Sequence, residues 1–242
     1  MKLLLISGHG AGDPGAVSGQ WREADETRRM TAAVAAALAG RADVDLYPTA
    51  RNAYADYRSG ALDALARFAR YDYVLEIHFN AFRPGSSDGK RKGTELYTPA
   101  AACSADQAIL RQVCALGFPS RGLKDGGHLA VISAACRAGT AAALLEVCFL
   151  DDPDDMALYA ADPNGVARAV AAGIAEGFGL PDTEQEEETV IYQTLEDVPA
   201  WAKPTVEKLL KKGYLTGTGQ GLGLEHNMLR VLVINDRAGL YG

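Results

Sequence analysis

The sequence predicts an α/β fold in which a largely parallel, twisted sheet carries helices on both faces, followed by a small helical C-terminal module. Short apolar segments alternate with longer helical segments through residues 1–180, which is typical of such a sheet. The first segment, which begins at Leu3, is apolar enough for a buried strand. A polar, acidic run without apolar periodicity predicts a linker at 181–189, and we therefore expect a first domain at 1–180 and a second module at 190–242.

The first half of the predicted domain contains clear start and stop signals. A helix is predicted at 23–38, because this segment is charged at its start, alanine-rich later, and followed by Gly40. A short strand is predicted at 44–47, where Pro48 ends it. A second helix is predicted at 52–70.

The second half continues the alternation. Residues 73–79 predict a strand of alternating character, and the Gly, Ser and Lys residues at 84–93 predict a surface loop. The segment between the next helix and Gly127 is glycine-rich and predicted to be irregular. The remaining predicted elements are strands at 94–97, 129–132 and 142–150, and helices at 104–116, 164–178, 199–213 and 225–238.

Composition excludes several classes of protein. A chain of 242 residues with 48% hydrophobic and 23% charged residues is typical of a globular protein with one main domain and a small one. The net charge of −7 argues against a nucleic-acid partner, which requires clustered basic residues. No segment approaches the ~18 to 20 apolar residues of a membrane span, and no signal-peptide pattern is found, so we expect a protein folded in a cytosol. Free thiols are expected for the cysteines, which are Cys103, Cys114, Cys136 and Cys148.

A histidine follows the first strand at the place where α/β sheets bind ligands. His9 lies in a glycine-rich turn directly after the apolar run, and ligand sites of such sheets lie beyond the carboxyl ends of strands. In the strand at 73–79, Glu76 and His78 share one face because side chains alternate. Glu146 interrupts another apolar run, and a buried carboxylate needs a partner.

These residues fit a catalytic zinc site, for which two histidines and a glutamate are a known ligand set. His9 and His78 supply the nitrogens, and Glu23 is the favoured oxygen ligand because the intervening loop can fold back over the strand end. Glu26 and Glu76 are competing ligands, and Glu76 could instead hold a histidine ligand in place. The sequence thus leaves the third ligand open.

Glu146 is then the expected general base, which activates the attacking water and later protonates the leaving amine. Its apolar surroundings favour a raised pKa, which suits a carboxylate that changes roles near neutral pH. His128, in the glycine-rich loop, and His226, in the tail, are assigned no role.

A dinucleotide site is the alternative interpretation of the glycine-rich turn. Residues 10–15 match G-x-G-x-x-G, but Pro14 interrupts the pattern and no helix begins at Gly15. The strand at 44–47 also ends without an acidic residue for a ribose. These departures disfavour a nucleotide site.

With these positions assembled, the chain resembles the zinc-dependent N-acetylmuramoyl-L-alanine amidases of the amidase type 3 family, particularly phage endolysins. The resemblance covers residues 1 to about 180 and depends on Gly8-His9-Gly10, Asp13-Pro14-Gly15-Ala16, Glu23, His78-Phe79-Asn80 and Glu146-Val147-Cys148-Phe149. It implies that His9, Glu23 and His78 bind zinc and that Glu146 is the catalytic carboxylate. Two departures are Glu76, where the family usually has serine, and Cys148, where it has glycine.

The resemblance also implies a substrate and a place of action. We expect hydrolysis of the amide between N-acetylmuramic acid and L-alanine in peptidoglycan, with Asn80 helping to position the substrate. A phage enzyme of this kind stays in the host cytoplasm until a separate pore-forming protein lets it reach the cell wall. Residues 190–242 resemble a module of related phage amidases and are expected to recognise wall or to assemble a homo-oligomer. The rival hypotheses are a zinc peptidase that cuts within the stem peptide and a non-catalytic wall-binding protein.

Overall fold

The computed structural model describes residues 1–82, 89–181, 191–217, 219 and 221–241. They divide into two compact units, Met1–Asp182 and Thr183–Gly242. The predicted linker at 181–189 lies outside the described residues except for Pro181, and so does half of the predicted loop at 84–93. None of the helices in these ranges combines the length and apolarity that a bilayer-spanning helix requires.

The first unit is built on a six-stranded sheet. Its strands are β1 (Lys2–Ser7), β4 (Asp43–Leu46), β5 (Tyr73–Asn80), β6 (Thr94–Thr98), β7 (Ser120–Asp125) and β8 (Ala141–Phe149), and a separate two-stranded hairpin consists of β2 (Val17–Ser18) and β3 (Trp21–Arg22). The strand order in the sheet is β4-β1-β5-β8-β6-β7, and neighbouring strands are parallel except for β6 and β8, which are antiparallel. The predicted largely parallel sheet is therefore confirmed.

Helices cover both faces of this sheet, as predicted. The helices of the first unit are α1 (Glu23–Ala37), α2 (Ala53–Ser59), α3 (Leu62–Ala66), α4 (Ser104–Cys114), α5 (Ala130–Arg137), α6 (Pro153–Ala161) and α7 (Pro163–Phe178). One core cluster joins Leu5 and Leu75 to residues of α1, α4, α6 and α7. A second joins Leu4 and Val74 to residues of α2, α3 and α5 on the other face. Alternate strand residues thus supply two separate cores.

The prediction of a single helix at 52–70 was wrong. Gly60 ends α2 in a left-handed conformation with φ of 77°, and Arg67 ends α3 with φ of 51°. A 3-10 turn at Phe68–Arg70 completes the segment. The chain therefore breaks twice where the periodicity alone suggested continuity, because a residue with positive φ cannot continue a right-handed helix.

Two further predictions were wrong around Gly127. The predicted strand at 129–132 lies in helix α5, whose Val131, Ile132, Ala134 and Ala135 are buried against the sheet. The segment predicted to be irregular contains strand β7, which pairs in parallel with β6. Helix α6 was not predicted, although Asp152 caps it and Pro153 occupies its first turn.

The second unit contains the two predicted helices. They are α8 (Lys203–Lys211) and α9 (His226–Arg237), shorter than predicted. A small core includes Tyr192, Val206 and Leu229, and Tyr192 forms a bridge with Leu224. A set of apolar side chains on this unit stays exposed, including Trp201, Tyr214, Val231 and Ile234.

Candidate metal centre

Three of the predicted ligands converge in the first unit. Donor atoms of His9, Glu23 and His78 all lie within 4.8 Å of one another. The two Glu23 carboxylate oxygens divide between the histidines: Oε2 is 3.0 Å from His9 Nε2, and Oε1 is 3.0 Å from His78 Nδ1. Two imidazole nitrogens and a carboxylate therefore face one small volume.

The histidines meet because β1 and β5 are adjacent parallel strands whose carboxyl ends lie at the same edge of the sheet. The Gly8 amide donates to the Ile77 carbonyl at 2.9 Å, which extends the strand pairing to the residue before His9. His9 then adopts φ of 61°, within a tight turn closed by a bridge between Gly10 and Asp13. The turn directs the first imidazole back over the end of β5.

Glu23 reaches the same point because the β2–β3 hairpin delivers the first residue of α1 to the strand ends. Its backbone amide donates to the Ala16 carbonyl at 2.9 Å. Its carboxylate accepts from the amides of Ala16 at 2.9 Å and Phe79 at 3.1 Å. Gly15 leaves room for this arrangement, since a Cβ there would lie 2.6 Å from Glu23 Oε2 and 2.7 Å from the His9 ring.

The outward nitrogen of each histidine faces another carboxylate. His9 Nδ1 is 2.8 Å from Asp13 Oδ2, which also accepts from Asn52 Nδ2 at 3.1 Å. His78 Nε2 is 3.3 Å from Glu76 Oε1. A carboxylate on the far nitrogen fixes the orientation of an imidazole and leaves its other nitrogen for a metal.

The competing ligands do not join this cluster. The Glu26 carboxylate accepts from the Tyr159 hydroxyl at 2.9 Å and pairs with Arg29. Glu76 is buried, but it lies on the side of His78 that faces away from Glu23. Within the described ranges, the group of potential ligands is therefore His9, Glu23 and His78 alone.

The electrostatics of the cluster favour a cation. Burial opposes charge on both histidines, but the Glu23 carboxylate, with Asp13 beside His9 and Glu76 beside His78, outweighs it and raises both pKa values. The pKa of Glu23 is lowered in turn: burial acts against its charge, but contacts with His78 and His9 prevail. The site thus holds more acidic than basic groups, and its donor set is one that zinc prefers.

Glu146 lies one strand away from this cluster. It is the register partner of His78 in the pairing of β5 with β8. Its Oε2 atom is buried and has no hydrogen-bond partner in the described part of the chain. Burial raises the pKa of Glu146 to about 7, and the neighbouring charges of Glu23, Glu95 and Glu76 act in the same direction against that of His78. An unpaired carboxyl group with such a pKa is suited to transfer protons.

Glu95 is a site residue that the sequence analysis missed. It is buried on β6 as the register partner of Glu146, and its carboxylate accepts from Asn80 Nδ2 at 2.7 Å, Tyr97 Oη at 3.1 Å and Arg121 Nε at 2.8 Å. One N–H of the Asn80 side chain is used by Glu95, which leaves its side-chain carbonyl oxygen and its second N–H for a ligand. The sequence did contain a signal for Glu95: it is an acidic residue within a predicted strand, as Glu76 is.

A cavity of about 250 Å³ opens beside the cluster. His9 and His78 line it together with Tyr54 and His128. Its described lining residues include Asp13 and Glu76 but no lysine or arginine. His128, which received no role from the sequence, therefore borders the site.

Comparisons with known proteins identify the family of the chain. Residues 3–176 match the Amidase_3 family model, described as N-acetylmuramoyl-L-alanine amidase. No curated protein matches the chain.

Several solved structures share the fold of the first unit. The catalytic domain of CwlV, an N-acetylmuramoyl-L-alanine amidase from Bacillus (Paenibacillus) polymyxa var. colistinus, is 26% identical with a TM-score of 0.62, covering 75% of this chain and 100% of that one. A putative amidase from Neisseria meningitidis is 24% identical (TM-score 0.57; 74% and 97% covered), and the catalytic domain of the CD27L endolysin targeting Clostridia difficile is 20% identical (TM-score 0.59; 73% and 97% covered). Because the family match spans most of its length, this chain belongs to the N-acetylmuramoyl-L-alanine amidases, enzymes that act on peptidoglycan.

Proposed function

We propose that this amidase depends on zinc and hydrolyses the amide between the lactyl group of N-acetylmuramic acid and the L-alanine of the stem peptide. One observation carries the proposal: His9, Glu23 and His78 converge within 4.8 Å, and the unpaired Glu146 carboxyl group lies one strand away. His9, Glu23 and His78 would hold the ion. A zinc ion, when bound, supplies a Lewis acid that polarises a carbonyl group and acidifies water.

The chain's own residues perform the proton transfers and the positioning. Glu146 accepts a proton from the water that attacks the scissile carbonyl carbon. It then delivers that proton to the L-alanine nitrogen as the carbon–nitrogen bond breaks, which frees the amino group. The raised pKa of Glu146, about 7, makes both protonation states accessible near neutral pH. Asn80, held by Glu95, accepts a hydrogen bond from a substrate N–H group.

The fragments released from purified cell walls test the reaction. The expected product is a peptide with a free L-alanine amino group, identified by mass spectrometry, together with an intact glycan strand. A chelator should stop the release, and added zinc should restore it. Fragments cut within the stem would instead support the zinc peptidase, and release of nothing by the zinc-loaded protein would support a non-catalytic wall-binding protein.

We further propose that the protein is a phage lysis enzyme with the second unit as a targeting or assembly module. The motif resemblance supports this role, together with the exposed Trp201 and Tyr214 of the second unit, since exposed aromatic side chains are frequent at binding sites. Expressed in the host cytoplasm, the enzyme should leave cells intact until a pore-forming protein permeabilises the membrane. Turbidity then falls within minutes if the proposal is correct, and stays unchanged if it is wrong.

The role of the second unit can be tested separately. The protein that ends at Asp182 should still cleave soluble muramoyl peptides, because residues 1–182 form a compact unit. It should bind walls less tightly if the second unit recognises wall. Sedimentation of both proteins with and without walls distinguishes wall binding from assembly. If the second unit assembles chains, the full-length protein should sediment as an oligomer and the truncated protein as a monomer.

A further inference from the structure

Arg121 presents an unused pair of hydrogen-bond donors beside the reaction centre. Its Nε donates to Glu95 Oε2 at 2.8 Å, and its guanidinium lies 4.9 Å from the centre of the Phe149 ring. Neither of its terminal nitrogens has a hydrogen-bond partner in the part of the chain that the structure describes. The side chain is 32% exposed, so these donors can reach a ligand.

The guanidinium is held in place before any ligand arrives. Glu95 is buried and is itself fixed by donors from Asn80 and Tyr97. Contact with Phe149 limits rotation of the guanidinium plane. Glu95 uses the Nε side of the Arg121 guanidinium, so the edge formed by the two terminal nitrogens remains for a second carboxylate. Because the side chain is already held in place, it loses little conformational entropy when a ligand binds.

A second cation lies on the strand that carries Arg121. Lys124, an exposed residue of the same strand, is the register partner of Tyr97 and adds a second cation near Arg121. Among the described residues that line the cavity beside His9 and His78 are Asp13 and Glu76 but no lysine or arginine. An anionic part of a substrate therefore interacts more favourably with Arg121 and Lys124 than with Asp13 and Glu76 of the cavity lining.

The distance between Glu146 and Arg121 suits a substrate group two residues away from the scissile bond. Strand β6 separates β7 from β8, which corresponds to about 10 Å at the usual strand spacing. Two extended residues span about 7 Å, and the long arginine side chain covers the remainder. The second residue of a peptidoglycan stem is a D-glutamate linked through its γ-carboxyl group, which leaves its α-carboxyl group free as a carboxylate in some walls and amidated in others.

We infer that Arg121 binds the α-carboxylate of the second stem residue and makes this amidase prefer stems with a free acid over amidated stems. The inference rests on the proposed function and goes beyond it, because it names the side of the site that receives the peptide and the wall chemistry that the enzyme favours.

Two synthetic muramoyl peptides that differ only in a carboxylate or carboxamide at this position test the inference. The parent protein should cleave the acid with a kcat/KM about tenfold or more above that of the amide. Arg121→Gln should bring this ratio close to one by slowing cleavage of the acid. Arg111→Gln, which removes an exposed charge that pairs with Glu176 on α7, should keep the parent ratio. An equal rate of the parent on both peptides, or an unchanged ratio in Arg121→Gln, overturns the inference.

Two further measurements keep the test decisive. If Arg121→Gln does not fold, Arg121→Lys should still lower the ratio several-fold, because an ammonium group cannot hold Glu95 and a bidentate carboxylate together; a ratio equal to that of the parent contradicts the inference. If the parent cleaves neither peptide, the proposed function fails. Calorimetric titration with the free stem peptides then tests whether Arg121 binds the carboxylate. Tighter binding of the acid than of the amide by the parent, and not by Arg121→Gln, supports the subsite, and equal binding excludes it.

Discussion

His78 and Glu146 are register partners on the parallel strands β5 and β8, so a potential metal ligand and the only buried side-chain oxygen found unpaired in the described residues stand side by side. Directly beyond them the register shifts, and Asn80 pairs with Phe149 instead of continuing the regular ladder. Such irregularities redirect side chains next to active sites. The strand pairing itself therefore places the proton-transfer group beside the metal-binding cluster.

Replacement of the Glu146 carboxyl group by an amide tests catalysis separately from metal binding. Glu146→Gln should retain zinc, because Glu146 is not among the three clustered ligands, and should lose about 100-fold or more of the wall-lysis rate. Turbidity measurements on purified walls and elemental analysis of zinc check the two statements. Glu176→Gln, an exposed change on α7, is the matched control and should retain the parent rate. Lysis by Glu146→Gln at the parent rate would show that another group transfers the proton.

We expect Glu146→Gln to stabilise the zinc-free protein by an amount that depends on pH. Glu146 has its ordinary pKa of 4.5 when unfolded and a pKa of about 7 when folded, so the folded state binds more protons between these values. The stability of the parent therefore falls relative to Glu146→Gln as the pH rises from about 4.5 to about 7, and the difference is constant above that range. Thermal unfolding in the presence of a chelator at pH 5 and pH 8 measures this difference. A larger gain at pH 5 than at pH 8 would contradict it.

Much of the fold could be predicted because its strands and long helices are strongly patterned. The apolar run from Leu3 and the alanine-rich helix α7 could be predicted from their composition and from the glycine and proline residues at their boundaries. Helix α5 could not be separated from a strand, since Leu129-Ala-Val-Ile is a short apolar run that suits either structure and only the tertiary contacts decide. Strand β7 was hidden because Ser120–Asp125 is polar and lies at the edge of the sheet.

The site was less predictable than the fold, because its geometry depends on which strands are neighbours. Residue types at strand ends indicated His9, His78 and Glu146, but they could not distinguish Glu23 from Glu26 or Glu76 as a partner of the histidines. The distinction depends on the β2–β3 hairpin, a feature of four paired residues without a strong sequence signal. Arg121 and Glu95 meet only because β6 and β7 pair, and β7 was not predicted.

Metal stoichiometry distinguishes the two glutamates that flank His78. Glu23→Gln should lose zinc, because the amide removes the negative charge shared by His9 and His78. Glu76→Gln should still bind one zinc ion at saturation, with an affinity weaker by about 10- to 100-fold, since the glutamine orients His78 less firmly than a carboxylate. Chelator competition measures both affinities, with Glu176→Gln as the control. Loss of zinc in Glu76→Gln with retention in Glu23→Gln would reverse the assignment.

Removal of either imidazole tests the remaining ligands. His9→Ala and His78→Ala should each lose the bound zinc, because each takes away one of the three donors that converge within 4.8 Å. Elemental analysis after dialysis gives the zinc content, and circular dichroism shows whether the fold persists. His128→Ala is the matched control: His128 borders the cavity without belonging to the cluster, so this variant should keep its zinc. A parent-like zinc content in His9→Ala or His78→Ala would exclude that histidine as a ligand.

Gly8 allows the His78 ring to occupy its position, and a single methyl group should displace it. A Cβ at Gly8 would lie 2.4 to 2.6 Å from three atoms of this ring, a separation at which one of the groups must move. The backbone cannot easily yield, because the Gly8 amide is bonded to the Ile77 carbonyl on the strand that carries His78. We therefore expect Gly8→Ala to rotate the imidazole away from Glu23, to weaken zinc binding about tenfold or more, and to destabilise the protein by about 1 to 3 kcal/mol.

The control for this substitution is Gly127→Ala, in the loop next to His128. A Cβ there would meet only Asp125 Oδ1, at an ordinary contact distance of 3.5 Å, so zinc affinity should stay at the parent value. Chelator competition and thermal unfolding of the three proteins compare the effects directly. Zinc binding by Gly8→Ala as tight as that of the parent would mean that the His78 ring does not need the position against Gly8, and that the cluster of His9, Glu23 and His78 tolerates a different geometry.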